Sequence, residues 1–191
     1  MKAAAILFAT LVCAIGNTLI MPRAQAQLRI RKNVVDLSDD ERQAFVDGVL
    51  QMKIAGVYDN YVNTHLNTGV RCDTAFDGTL TTIEACAHQS PAFLPWHRQY
   101  IWEFETDLLD AARTVGGGTT VLTGLPYWEW SVDNSSILFP WTDDFLGGDG
   151  DSSSNNRVTT GPFRSGEWDP VGGTTAGGTS TTYLQRNFQT N

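Results

Sequence analysis

The sequence predicts a mainly α fold with long irregular loops. Three observations carry the prediction. Two stretches repeat apolar residues at helical spacing, the first opens on a capping signature, and the second half turns Gly/Ser/Thr-rich with little periodicity. With 191 residues, 41% hydrophobic and 18% charged, the chain has enough apolar material for one globular domain with a real core. The net charge is −8 and no basic block offsets it, which argues against nucleic acid or anionic lipid as partners.

Residues 1–26 stand apart. Lys2 gives a short positive start, an almost wholly apolar run follows, and Ala24-Gln25-Ala26 closes it as a small-x-small site. This pattern predicts a secretory signal peptide, removed to leave residues 27–191, with a secreted or periplasmic location and no stable membrane association afterwards. The competing reading is an uncleaved anchor, but Gly16, Asn17 and Thr18 interrupt the run. Export leaves Cys72 and Cys86, for which an oxidising compartment makes a disulfide the plain expectation.

A short basic arm, Leu28 to Asn33, leads to the first helix, read over residues 38–67. Ser38 and Glu41 form a capping box, and Asp39, Asp40 and Glu41 place negative charge on the first turn. Phe45, Val49, Met52, Tyr58 and Tyr61 mark the buried stripe, with Gly56 a mild weakness in mid-helix. His65 lies four residues after Tyr61, on the same stripe near the helix end. Tyr58 and Tyr61 are expected to pack in the core and do no chemistry.

Residues 67–87 read as a loop, punctuated by Asn67, Gly69, Asp73, Asp77 and Gly78. His88 sits at its exit. Pro91 and Pro95 forbid a continuous helix from His88 to His97, while Pro95 is tolerable in a first helical turn. The second helix then runs from Trp96 to Arg113, with His97, Ile101, Phe104 and Leu108 on one face, and stops before Gly116-Gly117-Gly118. An aromatic extended stretch, LPYWEW, follows. The acidic GDGD at 148–151 lacks the regularly spaced oxygens of a calcium loop and reads as solvated.

The chain has three histidines, and all lie near the two best helices. Neutral imidazoles from two rigid helices and a proline-stiffened loop suit convergence on one copper or zinc ion. Spacing alone leaves open the ordinary alternative of histidines that simply pack.

The segment from His88 to Glu105 weighs against that alternative. His88, Phe93, Leu94, Trp96, His97, Arg98 and Glu105 resemble the first copper-binding signature of the tyrosinase family, with Ile101 where that family more often has Leu. The helix ending in His65, the LPYWEW segment with Glu129 for the usual Asp, GPFRSGEW and LQRNF are also similar to that family, so the likeness covers about 34–191. It implies part of an antiparallel four-helix bundle with two coppers, three histidines on each. It also implies oxidation of phenols and catechols to o-quinones with dioxygen.

By that resemblance His65, His88 and His97 hold the first copper. Phe93, Arg98 and Glu105 stand around it, Phe93 and Trp96 as wall packing and Arg98 and Glu105 more as structure than chemistry. Glu129 is expected to tie the aromatic segment to the bundle. Cys86, two residues before His88, matches relatives in which a cysteine forms a thioether to that histidine; a thioether and the Cys72–Cys86 disulfide would use the same sulfur, so the two stand as exclusive alternatives. The second copper needs three more histidines, and the sequence has none left. The expectation is therefore a tyrosinase N-terminal portion whose second helix pair is missing, with an exposed apolar stripe and little activity alone. The rival readings are a catechol or aminophenol oxidase without monophenol hydroxylation, a dioxygen carrier, and a mononuclear three-histidine module.

Overall fold

The computed structural model describes residues 28–75, 87–88, 90–132, 139–169 and 182–188, with side chains in the first stretch to residue 68. Among them are three helices and no strand longer than an isolated bridge: α1 (Asp39–Ile54), α2 (Val57–Ala75) and α3 (Phe93–Val115). The fold is mainly α. The predicted signal peptide, Cys86 and the side chain of Cys72 lie outside the described residues.

α1 begins as its sequence dictates. The Ser38 hydroxyl accepts from the Glu41 amide, and the Glu41 carboxylate accepts from the Ser38 amide at 3.0 Å. Lys32 adds an ion pair to the same carboxylate at 2.6 Å, and this bond, more than the capping bonds, holds the Glu41 pKa below its ordinary value.

The single helix expected over 38–67 is two helices, and the second runs on to Ala75 through the predicted loop start. Gly56 causes the break. Its φ of +73° is left-handed, so the hydrogen-bond ladder cannot pass through it. Lys53 spans the interruption with a 2.5 Å bond to Asp59, setting a cation at the end of one helix and an anion at the start of the next. Asn67, Gly69 and Asp73 of the predicted loop lie within α2, while Asp77 and Gly78 lie outside the described residues.

α3, about 34 Å long at 1.5 Å per residue, is the spine. Asp40 and Ala44 lie beside Val115 and Gly116, while Phe45 and Val49 lie beside Phe104, so α1 runs antiparallel to α3. Farther along, Tyr58 meets Phe104, Tyr61 meets Tyr100, and His65 meets His97, so α2 is antiparallel to α3 as well. The two successive helices therefore share one heading along one partner. Gly48 permits the close approach of α1, since a Cβ there would stand 2.9 Å from Leu108 Cδ1 and 3.2 Å from its carbonyl oxygen.

The basic arm docks beside residues 123–127. Ile30 N donates to Thr123 O, Tyr127 N to Lys32 O, and Val34 N to Tyr127 O, at 2.8–3.1 Å. Two arm guanidiniums then reach α3. Arg31 grips Glu105 through Nε and Nη2 at 2.8 and 2.9 Å, Arg29 adds a 3.3 Å contact, and the Leu125 amide donates to Oε1 at 2.8 Å. Glu105 is fully buried, and Arg31 foremost brings its pKa down to about 2.

The irregular second half closes the other side of the core. Phe145 and Trp168 are buried, with Trp168 edge-on to Tyr58 at 4.7 Å. The GDGD loop is an ordered cap: Asp151 accepts from the Ser153 amide and from both the Ser153 and Ser154 hydroxyls. Among the described residues the Glu129 carboxylate accepts only from Ser131; the Leu125 amide ties the segment to α3 through Glu105, and the Tyr127 backbone ties it to the arm.

Candidate metal centre

Two helices and the segment between them bring the three histidines together. His65 projects from α2 toward α3, three residues past the Val62 position and seven past Tyr58, whose ring packs on Phe104. His97 projects from the first turns of α3 to meet it, with ring centroids 5.6 Å apart. His88 arrives from the segment before α3, with Pro91 between it and the helix start, and its ring stands 4.8 Å from that of His65 and 5.0 Å from that of His97. One potential ligand atom from each histidine lies within 4.8 Å of the other two.

The cluster suits a small cation. The Nε2 atoms of His65 and His88 are 3.2 Å apart. Two nitrogens on one ion with bonds of about 2.0–2.1 Å stand about 3.3 Å apart in a tetrahedral set. His97 Nδ1 lies 2.7 Å from the Phe93 carbonyl oxygen. A carbonyl only accepts, so Nδ1 carries the proton and Nε2 keeps its lone pair for a metal. Burial first, then the neighbouring imidazoles, lowers the His65 pKa and favours the neutral form that binds metal.

Aromatic side chains hold these rings in place. Phe93 stacks obliquely on His97 at 4.2 Å, and Trp96 meets the same ring edge-on at 4.8 Å. Trp96 also stacks on Tyr100 at 4.9 Å and 18°, and the Tyr100 hydroxyl donates to the Tyr61 carbonyl of α2 at 2.8 Å. Sequence analysis did not single out Tyr100, although its i+3 spacing from His97 signals a shared face. Arg98 is exposed on α3, and Glu105 engages the arm and the Leu125 amide, with no contact to the imidazoles among the described residues. Leu66, Phe93 and Leu94 are exposed beside the cluster, and Ile101 and Trp102 continue an apolar stripe along α3.

Fold and cluster together define a helical protein with a three-imidazole site. The common central domain of tyrosinase matches residues 55–191, and the chain belongs to the tyrosinase family. It is 41% identical over 143 residues to a tyrosinase of Streptomyces glaucescens, covering 74% of this chain and 46% of that protein. It is 36% identical to the grixazone synthase of Streptomyces griseus subsp. griseus over 136 residues, covering 71% and 40% respectively. Similarity extends to hemocyanin 2 of Megathura crenulata, 32% over 108 residues, covering 56% of this chain and 3% of that one. The chain thus spans about half the length of the Streptomyces tyrosinases it matches. Family membership implies copper as the metal for which the three imidazoles fit. No helix of the described residues is long and apolar enough to cross a membrane.

Proposed function

We propose that His65, His88 and His97 hold one copper ion of a phenol- and catechol-oxidising enzyme that uses dioxygen. The observation that carries this reading is the convergence of the chain's three imidazoles from α2, α3 and the segment between them. Copper supplies the one-electron redox chemistry that links dioxygen to the oxidation of an electron-rich ring. The protein's own residues orient and shield. Phe93 holds the His97 tautomer through its carbonyl and covers that ring with its side chain. The Trp96–Tyr100 stack fixes the floor, and the Tyr100 hydroxyl pins α3 to α2 across the site. Exposed Leu66, Phe93 and Leu94 leave an apolar rim suited to a flat phenolic substrate or a further protein surface.

The second three-histidine set that this reaction class uses has no counterpart in these 191 residues. We therefore assign the full oxidation to the binuclear protein whose first copper site this is. Residues 1–26 direct its export, and residues 27–191 form the first-copper portion. A second reading is a mononuclear three-histidine module, favoured by the same histidine inventory.

Copper titration of the chain, followed by electron paramagnetic resonance, tests the proposal. One copper per chain is expected, with nitrogen hyperfine structure lost in His65→Gln and His97→Gln variants. Copper binding indifferent to both substitutions would overturn the site, and a preference for zinc over copper would favour the mononuclear module.

A further inference from the structure

One aromatic chain runs outward from the histidine cluster, and one member has a proton acceptor built beside it. His65 is followed by Tyr100 at 5.8 Å, Tyr100 by Tyr61 at 5.4 Å, and Tyr61 by Phe104 at 5.2 Å. Phe104 meets Tyr58 at 6.1 Å, and Tyr58 meets the buried Trp168 at 4.7 Å. Tyr61 differs from the others in its hydroxyl, which donates to Asp107 Oδ2 across the α2–α3 interface at 2.7 Å. Sequence analysis expects Tyr61 to be packing, but packing does not require a carboxylate at the phenol.

We propose that Tyr61 is a redox-active tyrosine, with Asp107 as its proton acceptor, that relays oxidising equivalents away from the histidine cluster. A phenol loses an electron readily only if its proton can leave in the same event, because the protonated radical cation is a very strong acid. Asp107 is placed to take that proton without movement. Burial and the Asp107 bond both raise the Tyr61 pKa, so the phenol holds its proton until oxidation releases it.

A one-electron oxidant at the cluster accepts one electron through Tyr100. The Tyr61 O–H bond breaks, the proton passes to Asp107 Oδ2, and a neutral phenoxyl radical faces a neutral carboxylic acid. A one-electron reductant from solvent, of the thiol or enediol class, returns the electron by way of Tyr58 and Trp168. Asp107 returns the proton. The net result is an oxidised cluster reset by an external reductant with no residue consumed.

The inference rests on the proposed metal site for its natural oxidant, but its test does not. All three imidazoles of the chain lie in the cluster, so a ruthenium polypyridyl photo-oxidant coordinated through histidine is anchored there. Flash oxidation of the labelled, metal-free full chain should give a tyrosyl radical signal in electron paramagnetic resonance. That signal should vanish in Tyr61→Phe, which keeps every ring contact, and persist in a Tyr127→Phe/Tyr183→Phe variant. In Asp107→Asn, an isosteric change that removes the base, radical formation should slow and its solvent deuterium isotope effect should change. Absence of any tyrosyl radical, its survival in Tyr61→Phe, or an unchanged rate and isotope effect in Asp107→Asn would each overturn the relay. Copper titration reports separately on the metal reading.

Discussion

Arg31 and Glu105 are joined by two parallel hydrogen bonds, at 2.8 and 2.9 Å, that bind the N-terminal arm to the middle of the longest helix. The carboxylate is fully buried and takes a third bond from the Leu125 amide, so it serves as a junction of three segments. Replacing it leaves two guanidiniums and an amide without their acceptor.

Glu105→Gln is expected to cost about 2–3 kcal/mol, less than the roughly 3–5 of a wholly buried pair because Arg31 is partly in water. Urea denaturation monitored by circular dichroism reads this directly. The pH dependence has a definite sign. The Glu105 pKa is held near 2 in the folded protein against an ordinary 4.5, so its contribution is complete above about pH 4.5. That contribution fades as pH falls from there through about 2. The stability gap between wild type and Glu105→Gln should close over this window, and a gap independent of pH would contradict the assignment.

Gly56→Ala separates one continuous helix from two. Inside a helix, alanine would add about 1 kcal/mol of stability. At φ +73° it instead meets left-handed strain of about 1–2 kcal/mol, although no atom lies within 4 Å of the new Cβ. A net loss of about 1 kcal/mol is expected in denaturant titrations. A gain would show that the helix runs straight through.

Gly48→Ala should also destabilise, for a different reason. Its backbone is helical and alanine improves propensity there by about 1 kcal/mol. The new methyl group, however, is driven against Leu108 and the Ala112 Cβ, the latter at 3.1 Å, where overpacking typically costs about 1–3 kcal/mol. The balance is a loss of about 1 kcal/mol, measurable as a lowered urea midpoint. A paired Leu108→Ala change should recover part of the steric term, detectable as non-additivity in a double-mutant cycle.

Much of this was legible in the sequence, and the rest had physical reasons to stay hidden. The capping box at Ser38 is read from four consecutive residues and formed as expected. Period places His65 and His97 on the faces whose tyrosines and phenylalanines pack between α2 and α3, but their meeting at one site was implied by the family motif and not by spacing. Gly56 was misjudged because glycine in an apolar pattern looks the same whether it sits in a helix or breaks one; only its φ decides. Gly69 and Asp73 carry weak local preferences that continuation of α2 overrides. Glu105 was expected to serve structure more than chemistry, and it does so as a buried ion-pair partner, but its partners come from the arm. No local periodicity announces a pairing between such distant segments. Glu129 was misassigned because the anchoring role falls to the Leu125 backbone amide, a group that every residue but proline carries.

The docking of the arm on α3 also sets an order of events during biosynthesis. Arg31 leaves the ribosome 74 residues ahead of Glu105. At about 5–20 residues per second, the first-made segment waits on the order of 4–15 seconds before its acceptor exists. Throughout that interval the leading end of the nascent polypeptide is untethered and open to whatever machinery greets it, and the fold locks only after that opportunity has passed.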